Sequence, residues 1–117
     1  MHISPLAQYK EGWFVGAFEP SSYRTMACEV AYKFHRQGEE WPAHFQRTSV
    51  EINYLIRGRL RVTWPGSTLA GVEHGVVIQA GEVFRIEPKE VIKPVFLEEC
   101  ELIVVKIPSL PGDKVLA

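Results

Sequence analysis

The stretch Gly38–Gly58, GEEWPAHFQRTSVEINYLIRG, holds the densest polar cluster in the sequence. Its second half alternates with a period of two: Val50, Ile52, Tyr54 and Ile56 fall on one side of an extended chain, and Glu51, Asn53 and Leu55 on the other. That period predicts a strand with one wholly apolar face and one polar-tinged face. Just upstream, His44 and Gln46 are two apart and share a face in extended chain. A turn through Arg47 and Thr48 would let Glu51 point into the same volume. Asn53 follows Glu51 on that face and is a further candidate for a cavity wall.

The same short period recurs on both sides of this stretch. RLRVTW sets Leu60, Val62 and Trp64 against Arg59, Arg61 and Thr63 and reads as a half-exposed strand. MACEVAYKFH sets Met26, Cys28, Val30, Tyr32 and Phe34 against Glu29, Lys33 and His35. ELIVVKI is apolar on both faces, as a central strand would be. GWFVGAF, GVVIQ, EVFRI and the stretch around Val95 to Leu97 fit further short strands, with GVEHGVV read as a loop carrying His74. Gly and Pro punctuate the gaps, at Gly38, Gly58, Pro65-Gly66 and Gly81 among others. One short N-terminal helical turn is expected, with Ser4 as cap and Pro5 at the first helical position. Many short strands with turn residues between them predict an all-β sandwich or barrel.

With 117 residues, 46% hydrophobic and 23% charged, residues 1–117 are expected to form one domain with one core. Thirteen basic against fourteen acidic residues give a net charge of -1, with neither sign in a run, which argues against a nucleic-acid partner. Nothing approaches the roughly 20 consecutive apolar residues of a membrane helix, so no membrane partner is expected. MHISPLAQYK lacks the layout of a secretion signal, and a soluble, cytoplasmic protein is the expectation. Cys28 and Cys100 lack CxxC spacing and read as two reduced, buried thiols in strands.

In Gly38–Gly58 the chain resembles the cupin superfamily, whose first motif reads G-x5-H-x-H-x4-E-x6-G. Gly38, His44, Gln46, Glu51 and Gly58 reproduce every spacing, with Gln46 where a second histidine stands in the family. The second motif, G-x5-P-x-G-x2-H-x3-N, has its counterpart in GEVFRIEPKEVIKPVF from Gly81. Without a gap Ile92 falls on the histidine position; shifted by one, Pro88 falls on the proline and Lys93 on the histidine. The opening GWFVGAFEPS and closing VVKIPSLPGDK are similar to small single-domain bacterial cupins. The resemblance implies a small jelly-roll β-barrel, commonly dimeric, and in typical members a metal held by three histidines and a glutamate.

Three classes of function follow. A binding module would hold a sugar-like molecule or a small carboxylate in a cavity around His44, Gln46 and Glu51, with Asn53, Trp41 and Arg85 as further ligand-binding residues. A metal-dependent oxygenase or isomerase would hold one divalent transition metal on His44, Gln46 and Glu51, a set weakened by its amide oxygen. His35 or His74 could be recruited to it. A metal-free epimerase would use a His44–Glu51 pair as catalytic base, the carboxylate raising the imidazole pKa, with Tyr32 or Tyr54 as acid. Lys89, Glu90 and Lys93 read as a solvated loop, and Asp113-Lys114 as a cap on the end of the domain. If Glu51 faces inward, Val50, Ile52, Tyr54 and Ile56 face outward and need a cover, either GWFVGAF or a second subunit of a homodimer.

Overall fold

Alternation along Val50–Arg57 produces an eight-residue strand, β5, in which Asn53 and Leu55 are buried while Tyr54 and Ile56 are exposed. The polar-tinged face is thus the inner one. The computed structural model describes residues 1–117, apart from the side chain of Leu69. In chain order the other strands are β1 (Trp13–Gly16), β2 (Tyr23–Arg24), β3 (Glu29–His35), β4 (His44–Gln46), β6 (Arg59–Leu69), β7 (Val72–Gln79), β8 (Val83–Ile86), β9 (Lys93–Phe96), β10 (Cys100–Ile107) and β11 (Lys114–Leu116). Two 3₁₀ turns, Leu6–Gln8 and Lys10–Gly12, precede β1.

Six strands form one wall in the order β2-β1-β3-β10-β5-β8. β10 is its centre, antiparallel to both β3 and β5, as its two apolar faces predict. The opposite wall is β7-β6-β9, and a bridge between His44 and Ile92 carries it on to the β4-β11 pair. Leu55, Leu60, Val62, Ile78, Phe96, Cys100 and Leu102 pack between the walls. Burying a side chain such as Leu55 or Leu60, both 2% exposed or less, contributes about 1.5–3 kcal/mol. Gly58 turns β5 into β6 at φ +100, where a Cβ would lie 2.3 Å from the Glu99 carbonyl oxygen; no other residue fits that turn without displacing β10.

Several local expectations are corrected. β6 runs through Pro65-Gly66 with a register irregularity between Thr63 and Thr68, and the chain reverses at Ala70-Gly71, so His74 sits in strand β7, exposed, with its ring 4.9 Å from that of Trp64. Cys100 is a buried thiol in β10, but Cys28 precedes β3 and is half-buried; both are free. Ser4 does not cap the first 3₁₀ turn; its hydroxyl meets the Tyr9 hydroxyl at 2.6 Å. Lys93 opens β9, and Lys114 opens β11. β1 pairs edge-on with β3, so it covers none of the outer face of β5. No helix among the described residues is long and apolar enough to cross a membrane.

Candidate functional site

Because inward positions alternate, each strand of the barrel delivers every second side chain to the interior. β3 contributes Lys33 and His35, β4 His44 and Gln46, β5 Glu51 and Asn53, β10 Lys106 and β11 Lys114, and all of them line one cavity of about 210 Å³. Trp13, Trp41, Phe84, Ile86, Ile92 and Phe96 supply apolar wall. Glu51 and Asn53 both line this cavity, so the polar face of β5 turns inward and the apolar row is left outside.

The two inner imidazoles are held in the same way. His44, 7% exposed, donates from Nδ1 to the Pro42 carbonyl at 2.9 Å. His35 donates from Nδ1 to Glu39 Oε2 at 2.6 Å, and its ring stacks on Phe96 with centroids 3.9 Å apart and meets Trp41 edge-on. Burial pulls both imidazole pKa values below their ordinary value; the Glu39 contact opposes this at His35, and the Pro42 carbonyl opposes it at His44 while the Lys114 charge reinforces it. Both rings are therefore neutral at pH 7, with Nδ1 as donor and Nε2 left as an acceptor. The His44–Glu51 pair expected from the spacing does not form: the carboxylate accepts from Asn53 Nδ2 at 3.0 Å, and the imidazole pKa is lowered where a rise was expected.

The imidazole–carboxylate pair that does exist is His35–Glu39, which sequence reasoning did not find. Gly38 turns the chain after β3, and Glu39 folds back so that its Oε2 also accepts from Trp41 Nε1 at 2.6 Å. Burial pushes the Glu39 carboxyl up, and the donors from Trp41 and His35 outweigh it, leaving the group below the usual carboxylate range. The signal was present in His35-x3-Glu39-x-Trp41 around a turn glycine.

Charge is the other feature that the sequence did not disclose. Lys106 stands opposite Glu51 in the β10–β5 ladder and Lys114 opposite Gln46 in β11–β4. Lys33 Nζ donates to the Glu11 carbonyl at 2.7 Å. Trp13 lies under two of these ammoniums, at 5.1 Å from Lys33 Nζ and 4.9 Å from Lys106 Nζ, and Trp41 lies 4.3 Å from Lys114 Nζ. Burial lowers the pKa of Lys33 and Lys114, and repulsion from Lys106 adds to it. Among the lining residues three lysines meet two carboxylates, Glu11 and Glu51, so ammoniums outnumber carboxylates by one. Gln46 is 3% exposed, and its Oε1 has no hydrogen-bond partner; it is the one such buried side-chain atom among the described residues. A buried acceptor without a donor costs about 1–3 kcal/mol.

Three expected participants lie elsewhere. Arg85 is exposed and pairs with Glu87 at 2.6 Å, because Phe84 and Ile86 take the inward positions of β8. Tyr32 and Tyr54 are on the outer face, Tyr32 donating to Glu101, so neither is an acid for this cavity. Trp41 does line it.

The register of the second motif is fixed by the ladder. His44 and Ile92 exchange backbone hydrogen bonds of 3.0 Å each, and Ile92 is buried in the cavity wall, whereas Lys93 reaches Glu40 at 2.7 Å. An apolar side chain thus occupies the ungapped histidine position. The residues present do not fit a three-histidine, one-glutamate metal centre: His44, Gln46 and Glu51 bring one imidazole, one amide and one carboxylate, with Lys106 and Lys114 beside them repelling a cation. Among the described residues, no three His, Cys, Asp or Glu side chains group closely enough to hold a metal ion.

No protein-family model matches the chain, and no curated protein is similar to it in sequence. Solved structures are similar in fold. A conserved uncharacterised protein with a double-stranded β-helix domain from Klebsiella pneumoniae aligns with a TM-score of 0.64 at 19% identity over 80% of this chain and 76% of its own. An RmlC-like cupin from Shewanella frigidimarina aligns at 0.58 and 21% identity over 74% and 71%. The DMSP lyase DddQ from Ruegeria pomeroyi aligns at 0.68 and 14% identity, over 90% of this chain and 49% of the lyase. At these identities the likeness is one of architecture. The two-walled barrel, its strand order and these neighbours together show that the chain has the double-stranded β-helix fold of the cupins.

Proposed function

We propose that the protein binds a small carboxylate in its barrel cavity, and that lysine ammoniums supply the positive charge that typical cupins take from a metal. The single observation behind this reading is the convergence of Lys33, Lys106 and Lys114 on one chamber whose ligand-histidine position is filled by Ile92. An anion entering it would relieve the mutual repulsion of the lysines and be desolvated against Trp13 and Trp41. A cavity of about 210 Å³ is room for about seven waters at about 30 Å³ each in the liquid, which suits an acid of about that many non-hydrogen atoms or fewer. An NMR titration with propionate tests the reading. Shifts are expected at the amides of β4, β5 and β11, and they are expected to vanish in the Lys106→Met, Lys114→Met double variant; unchanged binding in that variant would refute it.

The homodimer expected from the sequence is kept as a second proposal. Val83, Tyr54, Ile103 and Tyr32 form one row across β8, β5, β10 and β3 on the outer face, with Tyr54 43% and Val83 65% exposed. Arg57 with Glu99 and Glu101 places both signs of charge on this wall, so a two-fold copy could match each sign with its opposite.

A further inference from the structure

We infer that the preferred ligand is a hydroxylated carboxylate, a hydroxy acid, and not a simple acid; this rests on the carboxylate reading above. The inference comes from counting what the cavity leaves unpaired. Gln46 Oε1 is buried with no donor. His44 Nδ1 is committed to the Pro42 carbonyl and His35 Nδ1 to Glu39, so each neutral ring turns only an acceptor nitrogen to other partners, and both rings line the chamber. Three side chains of the chamber lining thus carry an acceptor without a donor, in a space whose cations are Lys33, Lys106 and Lys114.

A simple carboxylate satisfies the lysines and leaves every one of those acceptors without a proton, because a carboxylate at neutral pH is itself only an acceptor. A neutral polyol offers protons to the acceptors and nothing to the ammoniums. A molecule carrying hydroxyl groups beside a carboxylate answers both halves: its hydroxyls donate to Gln46 Oε1 and the imidazole Nε2 atoms, and its carboxylate meets the lysines. Sites built to hydrogen-bond a hydroxyl discriminate strongly against the analogue that lacks it, because their buried polar groups are then left unpaired.

The test compares three probes on the wild-type protein by calorimetry or NMR titration: each enantiomer of glycerate, propionate, which lacks the hydroxyls, and glycerol, which lacks the carboxylate. One enantiomer of glycerate is expected to bind at least about tenfold more tightly than propionate, with glycerol weaker than both. Gln46→Leu is expected to narrow the ratio of glycerate to propionate affinity, and an unaltered ratio in the folded variant would overturn the part of the inference that gives a ligand hydroxyl to Gln46 Oε1. Equal affinity for glycerate and propionate would overturn the hydroxy-acid inference while the carboxylate reading stands. Glycerol binding as well as glycerate, or no binding of either acid, would overturn the carboxylate reading itself. The three-probe comparison needs no variant, so it decides the matter even if Gln46→Leu fails to fold.

Discussion

Gln46 and its neighbours show how a few side chains set the properties of the chamber. His35 and His44 are neutral in the folded protein because burial disfavours the imidazolium, whereas in the unfolded chain each titrates near its ordinary 6.5. The unfolded state therefore takes up more protons as the pH falls through that value, and stability is lost on the acid side, fully present above it. We expect the melting temperature to drop between about pH 7.5 and 5.5, and the slope to flatten in His44→Phe; a profile that is level, or that rises toward acid, would contradict the neutral-imidazole assignment. Gly58→Ala is a separate test of backbone demand. With φ at +100 and a carbonyl oxygen 2.3 Å from the new Cβ, it is expected to cost at least about 2 kcal/mol in urea unfolding.

At the scale of elements, the pair β4–β11 holds the site together. Asp113 lies just before β11 and accepts from the backbone N–H groups of Thr48 and Ser49 at 3.0 and 2.8 Å, which pins the β4–β5 turn to the C-terminal strand. Burial pushes its carboxyl up, but the backbone donors outweigh that and leave it below the usual range. Asp113→Ala is expected to lower stability by about 1–3 kcal/mol and to weaken propionate binding, since Lys114 follows directly; unchanged binding would separate the turn from the site. The alternation of Val50–Arg57 made β5, its two faces and the shared direction of His44, Gln46 and Glu51 legible in the sequence, because a period of two is a local property. β4 was legible as extended chain ahead of the Arg47-Thr48 turn, but β11 was not legible as a strand: three residues are too short to show a period, and it exists through pairing with distant chain. For that reason the sequence points to a cap at Lys114, and it offers Arg85 as a candidate for the cavity because parity within one strand does not say which face is inner. The His35–Glu39 contact depends on a turn geometry that no spacing rule expressed.

For the molecule as a whole, the inversion of faces links assembly to function. A barrel that keeps ionisable groups inside leaves apolar residues outside, and the row through Tyr54 and Val83 is the result. Light scattering on a sizing column is expected to give twice the chain mass, falling to a monomer in Tyr54→Glu, Val83→Glu; a wild-type monomer at about 100 µM would remove the dimer proposal. The central claim is the proposal that the cavity takes its anion without a metal, on the ammoniums of Lys33, Lys106 and Lys114. It is tested most directly by repeating the propionate titration on protein stripped with chelator and shown by elemental analysis to hold no iron, manganese, nickel or zinc. Unchanged affinity after stripping is the expected result, and binding that disappears with the metal and returns on adding one of those ions would contradict the account.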